Sequence, residues 1–403
     1  MYSENTMNST PNSNRITISI YGKRNAGKSS LLNALAEQEI SIVSNVAGTT
    51  TDPVKKAMEL IPIGPVLFID TAGIDDEGKL GALRMKKSIE TARRTDIALY
   101  VMDITDIDED SLNSMVHNFN KYSIPYILVM NKTDKVSEEY LNKVKDKYKN
   151  AIFTSSTKKI NVNMLKDELV RRIQSVEEDQ PIIGNLLPYN GDAVLVVPID
   201  KEAPKGRLIL PQVQVIRDLL DYGIKTHVVR NTELESTIKE LKNIDLVITD
   251  SQAFKEVAEI VPREIKLTSF SILFARQKGD LEEFIKGVNA ISGLPDNANI
   301  LIAENCTHNT FHDDIGRVKI PKLLTKVTKK NFKYTYKTGY NFTEELKEYS
   351  LVIHCGGCMV NRKEIQSRIK ICRDNNIPIT NYGILLAYLN GILDRSIEIF
   401  DLK

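Results

Sequence analysis

Apolar and polar positions alternate with period two along Ile-Thr-Ile-Ser-Ile-Tyr, residues 16–21, as expected of a strand with two differently lined faces. A glycine-rich turn follows, and Ser-Leu-Leu-Asn-Ala-Leu-Ala, from Ser30 onward, has the spacing of a helix. Short apolar runs at 66–69, 97–102 and 126–130 read as further strands, with charged helical stretches between several of them. Strands and helices in this alternation build a parallel sheet with helices on both faces. The pattern predicts an α/β fold whose first domain, residues 15–178, closes in the acidic polar run 174–180 ahead of Pro181.

A second strand–helix series opens at 193–198, continues through a helix over 212–220, and has strands at 225–229 and 245–249. Pro262 ends its last helix, so a boundary is expected there, giving a second domain at 179–264. A third series, 265–403, carries strands near 267–274, 300–303, 332–336, 350–354 and 378–380. Both read as smaller α/β domains with parallel sheets. No fixed-period repeat stands out, although the two regions share a loose strand–helix rhythm. Residues 1–14 are polar, rich in Asn and Ser, and read as a disordered leader, because they offer no apolar surface to bury.

Composition narrows the function classes. With 42% hydrophobic and 27% charged residues the chain is an ordinary folded protein, and its net charge of +1 gives no global pull toward nucleic acid or an acidic membrane face. No apolar run approaches the ~20 residues of a membrane span, and secretory features are absent. A cytoplasmic protein with neither a nucleic-acid nor a membrane partner is expected. The lysines and aromatic residues of 322–337 alternate with period two, which reads as a half-buried strand rather than a nucleic-acid surface.

The turn after the first strand is Gly22-Lys-Arg-Asn25-Ala26-Gly27-Lys28-Ser29-Ser30, a phosphate-binding loop between strand and helix. Its glycines let backbone N–H groups turn toward phosphate oxygens, Lys28 reaches the outer phosphates, and the Ser29 hydroxyl ligates Mg2+. The helix N-terminus adds its positive end to the same anion. Phe-Ile-Asp70-Thr-Ala-Gly73 closes an apolar strand, with Asp70 expected on a magnesium-bound water and the Gly73 N–H on the γ-phosphate. Asn131-Lys132-Thr-Asp134 ends another strand, where the Asp134 carboxylate can accept both N–H donors of a guanine edge. Gly48-Thr-Thr50 lies where a switch loop would bring the Thr50 hydroxyl to magnesium. Order and spacing together point to GTP and GDP as ligands. The first domain is therefore a P-loop GTPase with a mostly parallel sheet, whose catalytic candidates are Lys28, Thr50, Asp70 and Gly73.

These segments resemble the translation-factor-class GTPases, and Asn25 with Ala47-Gly-Thr-Thr50 resembles the branch of tRNA-modifying and ribosome-assembly GTPases. That resemblance implies that Asn25 helps hold K+ beside the phosphates, where a cation does the electrostatic work of an arginine finger. Ile74 stands where Ras-like switches place a water-orienting Gln, which implies slow, potassium-stimulated hydrolysis; Glu77 reads as a solvated loop carboxylate. Ser155-Ser156 is similar to the family's last base-contacting loop, although the usual second residue is Ala.

The four cysteines, Cys306, Cys355, Cys358 and Cys372, all fall in the last quarter of the chain, which argues for a local site rather than a disulfide framework. Cys306-Thr-His308 follows one expected strand and His354-Cys355-Gly-Gly-Cys358 another, placing both halves at C-terminal strand ends. Soft thiolates select zinc or iron–sulfur clusters. A structural zinc on three Cys and one His, a redox Cys-x-x-Cys pair, a three-thiolate cluster with an exchangeable fourth position, and inert buried cysteines all remain open on spacing. Cys372 sits in a helical stretch and reads as core.

A GTPase followed by Cys-x-His and a distant His-Cys-x-x-Cys resembles the FeFe-hydrogenase maturation GTPases, the HydF family, over nearly the whole chain. The resemblance implies that Cys306, Cys355 and Cys358 bind a 4Fe-4S cluster, with His308 or His354 as candidate fourth ligand. It also implies that the second domain makes a homodimer and that the third carries the cluster and a di-iron precursor. Expected partners are two radical-SAM maturases and the apo FeFe-hydrogenase. The rival reading is an RNA-directed GTPase with structural zinc, which calls for a basic module that the near-neutral second and third regions do not offer.

Overall fold

A computed structural model describes residues 12–36, 42–46, 54–71, 78–176, 181–199, 206, 208–304, 315–339, 342, 345–357 and 360–402. The chain divides into two compact units between residues 178 and 179.

The first unit runs β1 (Ile16–Tyr21), α1 (Lys28–Ala36), β2 (Ile42–Val46), β3 (Val54–Leu60), β4 (Gly64–Asp70), α2 (Gly78–Ala92), β5 (Ile97–Asp103), α3 (Glu109–Lys121), β6 (Tyr126–Asn131), α4 (Glu138–Lys147), β7 (Ile152–Phe153) and α5 (Val162–Val176). Its sheet has the order β2-β3-β4-β1-β5-β6-β7. The five strands from β4 to β7 pair in parallel, while β3 runs antiparallel to both β2 and β4. The three residues between β3 and β4 are too few for a crossover, so that pair must be a hairpin. The period-two pattern of β1 divides as expected. Ile18 and Ile20 pack with Leu31, Leu35, Leu165 and Leu169 of α1 and α5, while Tyr21 packs with Met115 and Phe119 of α3. Ser19 and Tyr21 also meet Thr95, whose hydroxyl donates to Ser19 at 2.7 Å and lies 3.2 Å from the Tyr21 hydroxyl.

The second unit begins with β8 (Asp192–Val196), α6 (Leu210–Asp221), β9 (Lys225–Val229), α7 (Leu234–Glu240), β10 (Leu246–Thr249), α8 (Phe254–Ile260), β11 (Lys266–Ser269) and α9 (Phe270–Lys278). It continues with α10 (Leu281–Asn289), β12 (Asn299–Glu304), α11 (Ile320–Thr328), β13 (Lys333–Thr338), β14 (Leu351–His354), α12 (Arg362–Asp374), β15 (Ile379–Asn381), α13 (Tyr382–Leu389) and α14 (Leu393–Ile397). Two all-parallel sheets result, ordered β11-β10-β8-β9 and β13-β12-β14-β15. The two orders are the same: the first strand lies inside, the second on one flank, the third and fourth on the other. This structural repeat is what the loose rhythm of the sequence reflects.

One expectation needs correction. The apolar run after residue 266 is a strand only to Ser269; Phe270–Lys278 is a helix with Ile272, Leu273, Phe274 and Ala275 all buried. A continuous apolar run cannot distinguish a buried strand from a buried helix, and here the Ser269 hydroxyl accepts the Ile272 N–H and starts the helix. Because β11 pairs with β10, the boundary placed at 264 falls one strand before the middle sheet ends. Among the described residues, no helix is long and apolar enough to cross a membrane.

Candidate functional site

The nucleotide loop leaves β1 at Gly22, with φ 140°; a Cβ there would lie 2.1 Å from the Val101 carbonyl oxygen. Gly27, with φ 93°, would bring a Cβ to 2.3 Å from Asn131 Nδ2. Both positions therefore exclude a side chain on two counts, backbone conformation and space. Asn25 takes the left-handed conformation, φ 62°, which Asn adopts more readily than most residues. Lys28 is buried, and its Nζ donates to the carbonyls of Gly22 at 2.9 Å and Lys23 at 2.7 Å, so the ammonium lies back across its own loop. Ala26 is buried and Ser30 exposed at the start of α1.

Parallel pairing sets Ile20 of β1 opposite Asp70 of β4. The Ser29 hydroxyl donates to Asp70 Oδ2 at 2.6 Å. Burial raises the Asp70 pKa above the ordinary carboxylate value, and the Ser29 hydroxyl, Lys28 and Lys56 oppose that rise. Its other oxygen, Oδ1, is buried with no hydrogen-bond partner among the described residues. A buried carboxylate oxygen without a donor beside a serine hydroxyl is a hard oxygen set of the kind Mg2+ takes. The residues fit that ion.

At the base end, Asn131 is buried where β6 stops. Its Nδ2 donates to the Ala26 carbonyl at 3.0 Å, and its Oδ1 accepts from the Ser156 N–H at 3.1 Å and the Ser156 hydroxyl at 2.9 Å. One amide thus ties the phosphate loop to the Ser155-Ser156 loop. The extra hydroxyl at residue 156 has a use, since it adds a bond that Ala would not make. Asp134 is exposed, accepts from the Ser155 hydroxyl at 2.5 Å, and has its pKa lowered mainly by that bond. Lys132, with φ 67°, pairs with Asp103 at 2.5 Å. That pair, like the Lys23 contact with Asp108 at 3.1 Å, joins separate loops and leaves no signal in the sequence. Gly22, Asn25 to Ser30, Asp70, Asn131, Lys132, Asp134, Ser155 and Ser156 all lie at the C-terminal end of this sheet, in the last residues of its strands, the turns that follow them or the first turn of α1. Thr50, Gly73 and Glu77 lie outside the described residues.

At the other candidate site, β14 and β12 run side by side with Ala303 opposite His354, and the Cys355 N–H donates to the Ala303 carbonyl at 3.0 Å. Cys355, buried, leaves the sheet beside the strand that ends at Glu304, two positions before Cys306. In the order β13-β12-β14-β15 the strand order switches side between β12 and β14, the crevice where open α/β sheets bind ligands. Gly357 has φ 67°, and a Cβ there would lie 2.6 Å from Ile365 Cδ1. Lys278, buried at the end of α9, donates from Nζ to the carbonyls of Val360 at 3.1 Å and Gly357 at 3.4 Å. Cys306, His308 and Cys358 lie outside the described residues. Among the described residues no group of three or more His, Cys, Asp or Glu could hold a metal ion. Cys372 is buried in α12, and burial pushes its thiol up to about 12.

His354 is wholly buried; desolvation, with Arg368 nearby, pushes its imidazole pKa down to about 3. Arg368 and Glu364 pair at 2.8 Å on α12, each about 1% exposed. Their i,i+4 spacing reads in sequence as a solvent-facing helix pair, so only burial reveals them as part of this site.

Three family models match the chain in succession. The 50S ribosome-binding GTPase model covers residues 17–132, the hydrogen maturase F dimerization domain 182–279, and the hydrogen maturase F tetramerization domain 282–399. The last two meet just after α9, beyond the middle sheet. Curated relatives include the tRNA modification GTPase MnmE of Mesoplasma florum, 36% identical over 43% of this chain and 37% of that protein. GTPase Der of Wolinella succinogenes is 39% identical over 39% of this chain and 35% of that protein. The chain thus spans little more than a third of the length of these relatives. Among solved structures, Aquifex aeolicus Era bound to GDP.AlF4- is 20% identical, covers 53% of this chain and 92% of its own, and has a TM-score of 0.32. The G domain of T. maritima FeoB is 21% identical, covers 40% and 99%, and has a TM-score of 0.30.

Proposed function

The chain belongs to the hydrogen maturase F family, with a GTPase domain at its N-terminus, and from that premise we propose a GTP-hydrolysing scaffold that binds a 4Fe-4S cluster and assembles or delivers the di-iron subcluster of FeFe-hydrogenase. The observation that carries this reading is the placing of Cys355 at the switch point beside β12, in the same chain as a complete nucleotide loop.

GTP binding draws Lys28 from the Gly22 and Lys23 carbonyls to the phosphates, which the amides of Asn25 to Ser30 cradle. Ser29 and Thr50 would hold Mg2+, with Asp70 on a magnesium-bound water, and the ion when bound would neutralise phosphate charge. The Gly73 N–H reads the γ-phosphate, Asn25 holds K+, and Asp134 selects guanine inside the frame that Lys132, Ser155 and Ser156 build around it. Hydrolysis is slow and potassium-stimulated. At the other end, Cys306, Cys355 and Cys358 hold the cluster, with His308 and His354 as candidates near its fourth position. A soft thiolate set supports that assignment over hard-metal sites. When bound there, the cluster would supply iron to which an incoming fragment can attach.

Self-association follows from the dimerization and tetramerization domains of the family. Residues 15–178 serve as the GTPase domain and 179–264, extended by β11 and α9, as the dimer domain, and the rest of 265–403 serves as the cluster domain. The protein works in the cytoplasm, where GTP-dependent ordering around Thr50 and Asp70 changes its affinity for two radical-SAM maturases or for the apo-hydrogenase.

Anaerobic purification followed by iron, sulfide and zinc analysis tests the reading. About four irons per chain with a broad band near ~400 nm, lost in Cys355→Ala, is the expected result. A colourless protein with one zinc and no reconstitutable iron refutes the scaffold and leaves an RNA-directed GTPase. Phosphate release should rise when K+ replaces Na+, and Asn25→Ala should remove the difference. Dissociation from a maturase at the same rate with and without GTP would sink the switch.

A further inference from the structure

Arg368 is one of the largest wholly buried side chains among the described residues. A guanidinium has five N–H donors and no acceptor, so each bond it makes fixes the role of its partner. Its Nε donates to Glu364 Oε1 at 2.8 Å, Nη2 donates to the Gly339 carbonyl at 2.8 Å, and Nη1 lies 3.1 Å from His354 Nε2. The guanidinium carbon is 5.1 Å from the centre of the Phe342 ring. Since Arg can only donate, His354 Nε2 is the accepting, unprotonated nitrogen. The ring proton is then on Nδ1, which donates to the Cys355 carbonyl at 2.5 Å. The lone pair that imidazole would need for iron is turned to Arg368 instead. Glu364 sets that aim, holding the guanidinium through one oxygen while its other, Oε2, stays buried without a partner among the described residues.

Resting on the cluster reading, we propose that Arg368 locks His354 as the Nδ1–H tautomer, making His354 a positioning residue that orients the Cys355 peptide and leaving the fourth cluster position to another donor. The lock is a property of the polypeptide before iron arrives, so it can be read without the cluster.

Long-range proton–nitrogen spectra of the full chain, labelled with 15N-histidine and free of iron, report the tautomer of each of the five histidines. His354 is the one whose signals vanish in His354→Gln. The Nδ1–H pattern is expected in the wild type, shifting toward the Nε2–H form ordinary in water when Arg368→Met removes the donor. An Nε2–H pattern in the wild type, or an Nδ1–H pattern untouched in Arg368→Met, overturns the lock. After reconstitution, pulsed EPR of the reduced cluster should give the same nitrogen couplings in the wild type and in His354→Gln. A strong nitrogen coupling that His354→Gln abolishes overturns the assignment. If Arg368→Met does not fold, the wild-type tautomer and the EPR comparison decide alone. A wild type that takes up no iron sinks the cluster reading, while the tautomer still decides the lock.

Discussion

Replacing Asp70 with Asn leaves the shape of the nucleotide site almost unchanged and removes one negative charge, so the nucleotide-free and magnesium-bound states should respond with opposite signs. In the free protein the carboxylate is partly desolvated and its Oδ1 has no donor among the described residues, a defect of the kind that costs ~1–3 kcal/mol. The Asp70→Asn side chain keeps an acceptor for the Ser29 hydroxyl and carries no charge to desolvate, so the nucleotide-free variant should melt no lower than the wild type. Because burial raises the folded pKa of Asp70 above its unfolded value, the favourable contribution is fully present below the unfolded range near ~4 and is lost as pH rises through the folded pKa. Asp70→Asn should remove that part of the pH dependence. With Mg2+-GTP the sign reverses. Losing a hydrogen bond to a charged partner costs ~1.5–3 kcal/mol, or roughly 10- to 150-fold in affinity. At a ligand concentration a hundred times the wild-type Kd, stabilisation of ~2.7 kcal/mol would fall to between ~0.3 and ~1.4. Titration of a fluorescent GTP analogue with Mg2+ and with chelator measures this. The wild type should bind more tightly with Mg2+ and the variant should show little difference. A variant with the full magnesium effect, or a nucleotide-free variant that melts well below the wild type, would refute the account of Asp70.

Three more outcomes follow from contacts already described. Asn131→Ala removes three bonds linking Ala26 and Ser156, so GTP and GDP should both bind roughly 150-fold more weakly, at ~1 kcal/mol per lost bond; isothermal titration checks this, and unchanged affinity would refute it. Lys278→Met cuts the tie from α9 to the Gly357 and Val360 carbonyls, so iron should leave to a chelator several-fold faster while GTP hydrolysis stays the same. Cys372→Ala should keep its full iron complement, because a thiol pushed up to about 12 by burial offers no thiolate near neutral pH; iron loss comparable to that in Cys355→Ala would contradict this.

How much of this is legible in the sequence depends on how local each feature is. The nucleotide loop can be read because strand, turn and helix are consecutive, and Gly22 and Gly27 are required by contacts their own turn creates. The antiparallel edge β2-β3 leaves no such signal, since pairing with β4 rather than intrinsic pattern makes those segments strands. The helix Phe270–Lys278 reads as strand because burial on all sides erases periodicity. Glu364 and Arg368 escape because a sequence shows spacing along a helix but not which face meets the sheet. The α/β class survives all of this, resting on an alternation repeated many times.

The repeated sheet topology provides a comparison that no single module could. Register sets Thr249 of β10 opposite Val196 and Ser269, as it sets His354 of β14 opposite Ala303 and Asn381. Thr249 therefore stands where His354 stands, and Asp250 where Cys355 stands. Ser269 and Asn381, in matching positions, each cap the helix that follows. In the middle module the polar groups after β10 bond to neighbouring helices: Gln212 Nε2 of α6 donates to Asp250 Oδ2 at 3.0 Å, and the Ser251 hydroxyl is in contact with that of Ser271 on α9. The helix after β10 is the seven-residue Phe-Lys-Glu-Val-Ala-Glu-Ile, which holds no arginine. The helix after β14 is thirteen residues long and carries Arg368 on its buried face. The middle sheet thus forms with no Arg–His pair at the matching position, so the fold itself does not require one. What distinguishes the module with the pair is Cys355 at the strand end, which is the reason to tie the buried arginine to the chemistry of that cysteine rather than to the stability of the sheet.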